Sequence, residues 1–337
     1  MKNKTHATQL KYLNCHFMKA LRFINNTLEL ADIARPNAEQ EALIRVTKTG
    51  ICNTDLEIMR GYAGFSGTIG HEFVGIVEDA PDAPAIVGKR VVGEINAGCG
   101  VCEKCLAGDS RHCPARTVLG IHGRDGAHAE FLTLPTRNLL EVPETVADEQ
   151  AVFVEPLAAA LGITEQVEIL PETRVAVIGD GKLGILCAFA LSLKSANVSI
   201  VGKQKEKLSI AAKRIIEGIL LSDAVPALNR VFDVVVEASG RESGFAAALD
   251  LLKPRGKLVL KSTFQGNTNL EMWRVVVDEI TIVGSRCGKF APALELLEKG
   301  LVNLEDLISE EFPLAKGLEA MNRAAQKGVM KVLLRMQ

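Results

Sequence analysis

RVAVIGDGKLGILCAFAL, residues 174–191, sets a short apolar run, a turn with three glycines and a long apolar run in direct succession. The first run reads as a buried strand and the last as a helix, so Gly179, Gly181 and Gly184 stand between strand and helix. That context gives each glycine a task. The first makes a tight turn, the second lets a pyrophosphate approach the backbone, and the third lets helix and strand pack closely. The helix begins at Lys182 and Leu183, and its N-terminus turns a positive end toward the phosphates. The stretch predicts a dinucleotide site built from Gly179, Gly181, Lys182, Leu183 and Gly184.

The residues that follow extend the pattern. NVSIVG (197–202), DVVVEASG (233–240), GKLVLKS (256–262) and EITIVGS (279–285) read as strands. KEKLSIAAKRIIE (205–217) and SGFAAALDLL (243–252) read as the helices between them. Strands alternating with helices imply βαβ units, and so a doubly wound parallel sheet covered on both faces, a Rossmann domain over 154–287. The second strand bears on the cofactor. A site for NAD usually ends this strand with an acid that bonds the ribose 2′-hydroxyl and repels a 2′-phosphate. Here the position is Gly202, followed by Lys203, Gln204 and Lys205. The missing acid and the adjacent lysines favour NADP(H) over NAD(H), with Gly202 and Lys203 in the cofactor site.

Upstream the texture differs. Short strand-like runs broken by Gly and Pro fill residues 20–150: EALIRVTKT, EFVGIVED, GKRVVGE and AEFLTLP. They predict a small barrel or sandwich. MKALRF from Met18 reads as the first strand, leaving residues 1–17 as a tail or as a segment upstream of a second initiation site. KVLLRM at the other end is strand-like and is expected to pack back on the first domain.

CGVCEKCLAGDSRHC, residues 99–113, spaces four of the eight cysteines C-x2-C-x2-C-x7-C. Four thiolates fill a tetrahedral zinc site and leave no place for substrate, so Cys99, Cys102, Cys105 and Cys113 predict a structural zinc. A second, sparser set is open. TGICNTDLE (49–57) offers Cys52, GTIGHEFVGIV (67–77) offers His71 and Glu72, and VFVEPLAAAL (152–161) puts Glu155 in an apolar run. An acid there is costly unless paired or metal-bound. A thiolate, an imidazole and a carboxylate leave one zinc position free for water or substrate.

Taken in order, GICNTD, GHEFVGIV, GKRVV, the four-cysteine loop, VEPLA and GDGKLG resemble the zinc-dependent medium-chain alcohol dehydrogenases, from about residue 18 to the C-terminus. The Glu-Pro at 155–156 looks most like the polyol, sugar and threonine dehydrogenase branch. The resemblance implies an α/β fold: a GroES-like β-rich catalytic domain over 18–153 and 288–337, together with the Rossmann domain. It implies catalytic zinc ligands at Cys52, His71 and Glu155, with Glu72 a carboxylate that can bind the metal or exchange with its water. It implies a proton-relay hydroxyl at Thr54 and, at Asp55, an acid that holds the imidazole of His71. Two zincs per chain, hydride transfer between an alcohol and a nicotinamide, and a homodimer or homotetramer follow from the same likeness. Two departures stand out. Glu57 takes the place where the family's relay often ends on His, and only eighteen residues separate Cys52 from His71.

Bulk composition narrows the partners. The chain has 337 residues, 47% apolar and 24% charged, with a net charge of −2. That balance speaks against nucleic acid. No apolar run approaches the ~18 residues of a membrane span, and the N-terminal stretch lacks a signal peptide's apolar core, so a cytoplasmic enzyme acting on a small alcohol or carbonyl is expected. The alternative is a non-catalytic NADPH-binding structural or regulatory protein of the same fold.

Overall fold

A computed structural model describes residues 17–263 and 271–336. The tail expected over 1–17, with Cys15, lies outside the described residues except for Phe17. That residue opens the strand Phe17–Ile24, opposite Ala34, so the first strand starts one position before Met18.

Among the described residues the chain divides into two compact units. One runs to Val154 and resumes at Leu296; the other is Glu155–Glu295. The helix Phe290–Glu298 runs across the second of these boundaries.

Period-two burial makes the first unit a β structure. In Phe17–Ile24, Met18 and Ala20 are buried while Phe17 and Lys19 are exposed. The strand Ala42–Gly50 is instead buried along most of its length, as suits the middle of a sheet with both faces covered. It pairs with Glu72–Asp79 on one side and with the C-terminal strand Lys331–Arg335 on the other, in a seven-stranded sheet. The last strand runs antiparallel to the central one, with Leu333 opposite Gly50. A separate three-stranded sheet joins Asn96–Ala97, Thr117–Leu119 and Gly123–Arg124. Its first pair, Asn96 with Val118 and Ala97 with Thr117, closes the base of the loop that carries the four clustered cysteines.

The second unit is a six-stranded parallel sheet. Its spatial order is Glu217–Leu220, Val198–Gly202, Val175–Ile178, Phe232–Glu237, Leu252–Leu260, Thr281–Gly284. Numbered along the chain this is 3-2-1-4-5-6, the doubly wound order, with its switch point beside Val175–Ile178. The strand Glu217–Leu220 replaces the end of an expected helix. That helix spans only Lys205–Ala212, and the chain turns at Ile215, a non-glycine residue at φ 59°.

Candidate active site and metal centres

Strand pairing builds the first site. Gly50, at the end of the central strand, lies opposite Glu72, at the start of the next, so the residues just beyond each meet. Cys52 caps the short helix Asn53–Ile58, and its backbone N–H donates to Asp55 Oδ2 at 2.8 Å. The ligand atoms of Cys52, His71 and Glu72 all lie within 4.8 Å of one another.

Asp55 stands behind this group, fully buried. Its Oδ1 lies 3.4 Å from His71 Nδ1 and its Oδ2 3.4 Å from His128 Nε2. Gly70 N–H donates to Oδ1 at 3.2 Å. Burial alone would raise the Asp55 carboxyl, but the charge of His71 and the hydrogen bond to His128 outweigh it and hold the group well below the usual carboxylate range. Burial would likewise depress His71, and Asp55 followed by Cys52 reverses that, raising the imidazole well above its ordinary value. His128 continues the chain of contacts to Thr49 Oγ1, 2.9 Å from its Nδ1.

Glu72 is held from the other side. Its Oε2 accepts from Lys331 Nζ in a pair that is almost wholly buried, while Oε1 has no hydrogen-bond partner. A buried carboxylate oxygen without a donor, beside a thiol and an imidazole, suits a divalent cation. Thr54 Oγ1 lies 3.6 Å from Cys52 Sγ. Glu57, at the position where the family's relay often ends on His, is buried and ion-paired to Arg60. Glu155 lies at the start of the second unit, on the helix Val154–Leu161, and has partners of its own.

In the cysteine loop the four sulfurs of Cys99, Cys102, Cys105 and Cys113 also fall within 4.8 Å. Cys113 is buried and its sulfur accepts from Cys99 N–H at 3.4 Å. Backbone N–H groups, that of Val101 foremost, bring the Cys99 thiol down to about 6. Such a set of soft donors fits a closed tetrahedral zinc. His112 is bonded to Asp109 at 2.8 Å and does not compete for the site. A Cβ on Gly98 would stand 2.7 Å from Cys105 Sγ, which fixes glycine at the neck of the lobe.

At the glycine-rich turn, Gly179 has φ 123°, and a Cβ there would meet Ala238 O at 2.6 Å. A Cβ on Gly184 would stand 1.8 Å from Gly179 O, so the helix Lys182–Ser192 packs on the turn only with glycine. A Cβ on Gly181 would meet nothing within 4 Å. Open space above Gly181, at a helix start with no side-chain cap, suits a phosphate group. Lys182 and Leu183 form the first turn of that helix, and Gly202 ends the neighbouring strand with Lys203 following it.

Matches to known proteins follow this division. The alcohol dehydrogenase GroES-like domain matches residues 38–144, and the zinc-binding dehydrogenase domain matches residues 183–299. The L-threonine 3-dehydrogenase of Paraburkholderia phytofirmans is 30% identical over 287 residues, covering 79% of this chain and 83% of the relative. The chain belongs to the zinc-dependent medium-chain alcohol dehydrogenases. As a member of that family it is an oxidoreductase with a GroES-like and a Rossmann part. Two solved alcohol or zinc-binding dehydrogenases share its fold. RspB of Escherichia coli CFT073, in complex with NADH, is 28% identical with a TM-score of 0.86, covering 95% of this chain and 99% of that one. A zinc-binding dehydrogenase of Sinorhizobium meliloti 1021, bound to NADP, is 27% identical with a TM-score of 0.84 over the same shares.

Three residues of these sites escaped the sequence reading. His128 and Lys331 lie far along the chain from the motifs they support, and only the sheet brings them in. Asp180 sits inside the glycine motif at a position that carries no fixed chemistry, so nothing marked it.

Proposed function

We propose that this dehydrogenase interconverts an alcohol and its carbonyl compound at Cys52, His71 and Glu72, with NAD(H) or NADP(H) at the Gly179–Gly184 turn. The observation that supports this most is the grouping of those three side chains in front of the buried Asp55. A zinc bound there would act as a Lewis acid toward the substrate oxygen, and the nicotinamide would exchange the hydride. Asp55 fixes the orientation of His71, and Lys331 fixes that of Glu72. Thr54 Oγ1 takes the alcohol proton toward solvent. Glu155 is proposed as a further ligand, and Cys99, Cys102, Cys105 and Cys113 as the holder of a second, structural zinc. The substrate class is a hydroxylated one, a sugar or polyol, which rests on the branch that the Glu155-Pro156 motif resembles. No helix among the described residues is long and apolar enough to cross a membrane. A cytoplasmic homodimer or homotetramer is proposed on the same analogy.

The test is a screen of sugars, polyols and simple alcohols with both nucleotides, following absorbance of the reduced nicotinamide, alongside metal analysis. Two zincs per chain are expected, falling to one in Cys52→Ser together with loss of turnover and retention of fold. Full activity in Cys52→Ser would sink the assignment.

A further inference from the structure

Gly202 ends the strand Val198–Gly202, where a site for NAD usually projects an acid toward the ribose 2′-hydroxyl. A Cβ at this position would stand 2.5 Å from Asp180 Cβ and 2.6 Å from Asp180 Oδ2. The space that a side chain at 202 would enter is already filled, and a carboxylate fills it. Oδ2 of Asp180 accepts the backbone N–H groups of Lys203 and Gln204, each at 2.7 Å. Oδ1 is left to accept from an incoming hydroxyl.

On the reading of this turn as the nucleotide site, we infer that Asp180 replaces the missing strand-end acid: the pocket takes a ribose with a free 2′-hydroxyl and rejects a 2′-phosphate, so NAD(H) is the working cofactor. The negative charge has moved from the end of the second strand to the middle of the glycine-rich turn. The two backbone donors best placed to bind a 2′-phosphate, at 203 and 204, are both committed to Asp180. Lys203 and Lys205 are exposed, and single exposed charges contribute little through water. Asp180 is fixed by two hydrogen bonds beside the position at issue. The NADP(H) preference expected from Gly202 and Lys203 treated an absent residue as an absent charge. The fold shows that a glycine at 202 is what admits the Asp180 side chain.

NADH and NADPH are titrated separately into the full-length zinc-loaded enzyme without substrate, and binding is followed by nicotinamide fluorescence. NADH should bind at least about tenfold more tightly than NADPH, a difference of ~1.4 kcal/mol. Asp180→Asn keeps an acceptor for both N–H groups and removes the charge, and should close that gap through tighter NADPH binding. If Asp180→Asn does not fold, the double variant Asp180→Gly with Gly202→Asp clears the Cβ that would meet the new side chain, returns the acid to the strand end and should restore the preference for NADH. Equal or tighter NADPH binding by the parent, or an unchanged ratio in Asp180→Asn, would overturn the inference and leave the nucleotide site standing. Failure of both nucleotides to bind would overturn the two together.

Discussion

Asp55 shows what one buried acid does behind the proposed metal site. It accepts from two backbone N–H groups and faces two imidazoles, so it is over-supplied with positive partners and stays ionised without water. An ionised acid on the far nitrogen of a ligating histidine orients the ring and makes it a stronger ligand. Asp55→Asn should therefore weaken zinc binding at Cys52 and His71 by roughly 10–100-fold. The zinc proposed for the cysteine loop should be unaffected. Competition with a graded series of chelators, counting zincs retained per chain, separates the two sites. That Cys52, His71, Glu72 and Asp55 belong to one group was legible in the sequence because they lie in two short stretches, GICNTD and GHEFVGIV, which the family resemblance links as a set. Lys331 was not, since it meets Glu72 across 259 positions and a lysine in an apolar strand gives no sign of its partner.

Elements were legible where burial imposes a period. The strand Val175–Ile178 is buried at every position and the helix after it along most of its length, so both stand out as apolar runs. Glu217–Leu220 has two exposed and two half-buried residues at the edge of the sheet, and nothing in EGIL separates it from the helix before it. The glycine turn permits a paired prediction at this scale. Gly184→Ala places a methyl against Gly179 O, and should cost the fold enough to lower the melting temperature or yield insoluble protein. Gly181→Ala meets no protein atom within 4 Å, and should melt as the parent does while losing nucleotide affinity. Melting curves with and without nucleotide distinguish them: ligand-induced stabilisation should vanish in Gly181→Ala alone among the soluble variants.

For the whole molecule, the second unit presents an unfinished edge. Among the described residues, Thr281–Gly284 pairs only with Leu252–Leu260 and ends the sheet. Ile282 is 36% exposed, and Trp273, Val276 and Val277 on the helix Met272–Val277 are 63–70% exposed. Open strand edges flanked by apolar side chains invite pairing with another chain. The proposed self-association gives this edge a covering, and Ile282→Lys should shift the enzyme toward monomer in sedimentation velocity. An unchanged sedimentation coefficient would place the contact elsewhere. The first unit carries a different kind of incompleteness, one of time. Its central strand, Ala42–Gly50, pairs at its far end with Lys331–Arg335, and Glu72 finds its cation in Lys331. Synthesis must therefore reach Lys331, 259 positions after Glu72, before that pairing or that ion pair can form. Contacts of such long sequence separation form slowly. Until Lys331–Arg335 arrives, the nascent first unit lacks a partner for residues 48–50 of that strand and for Glu72, and this late strand acts as the latch.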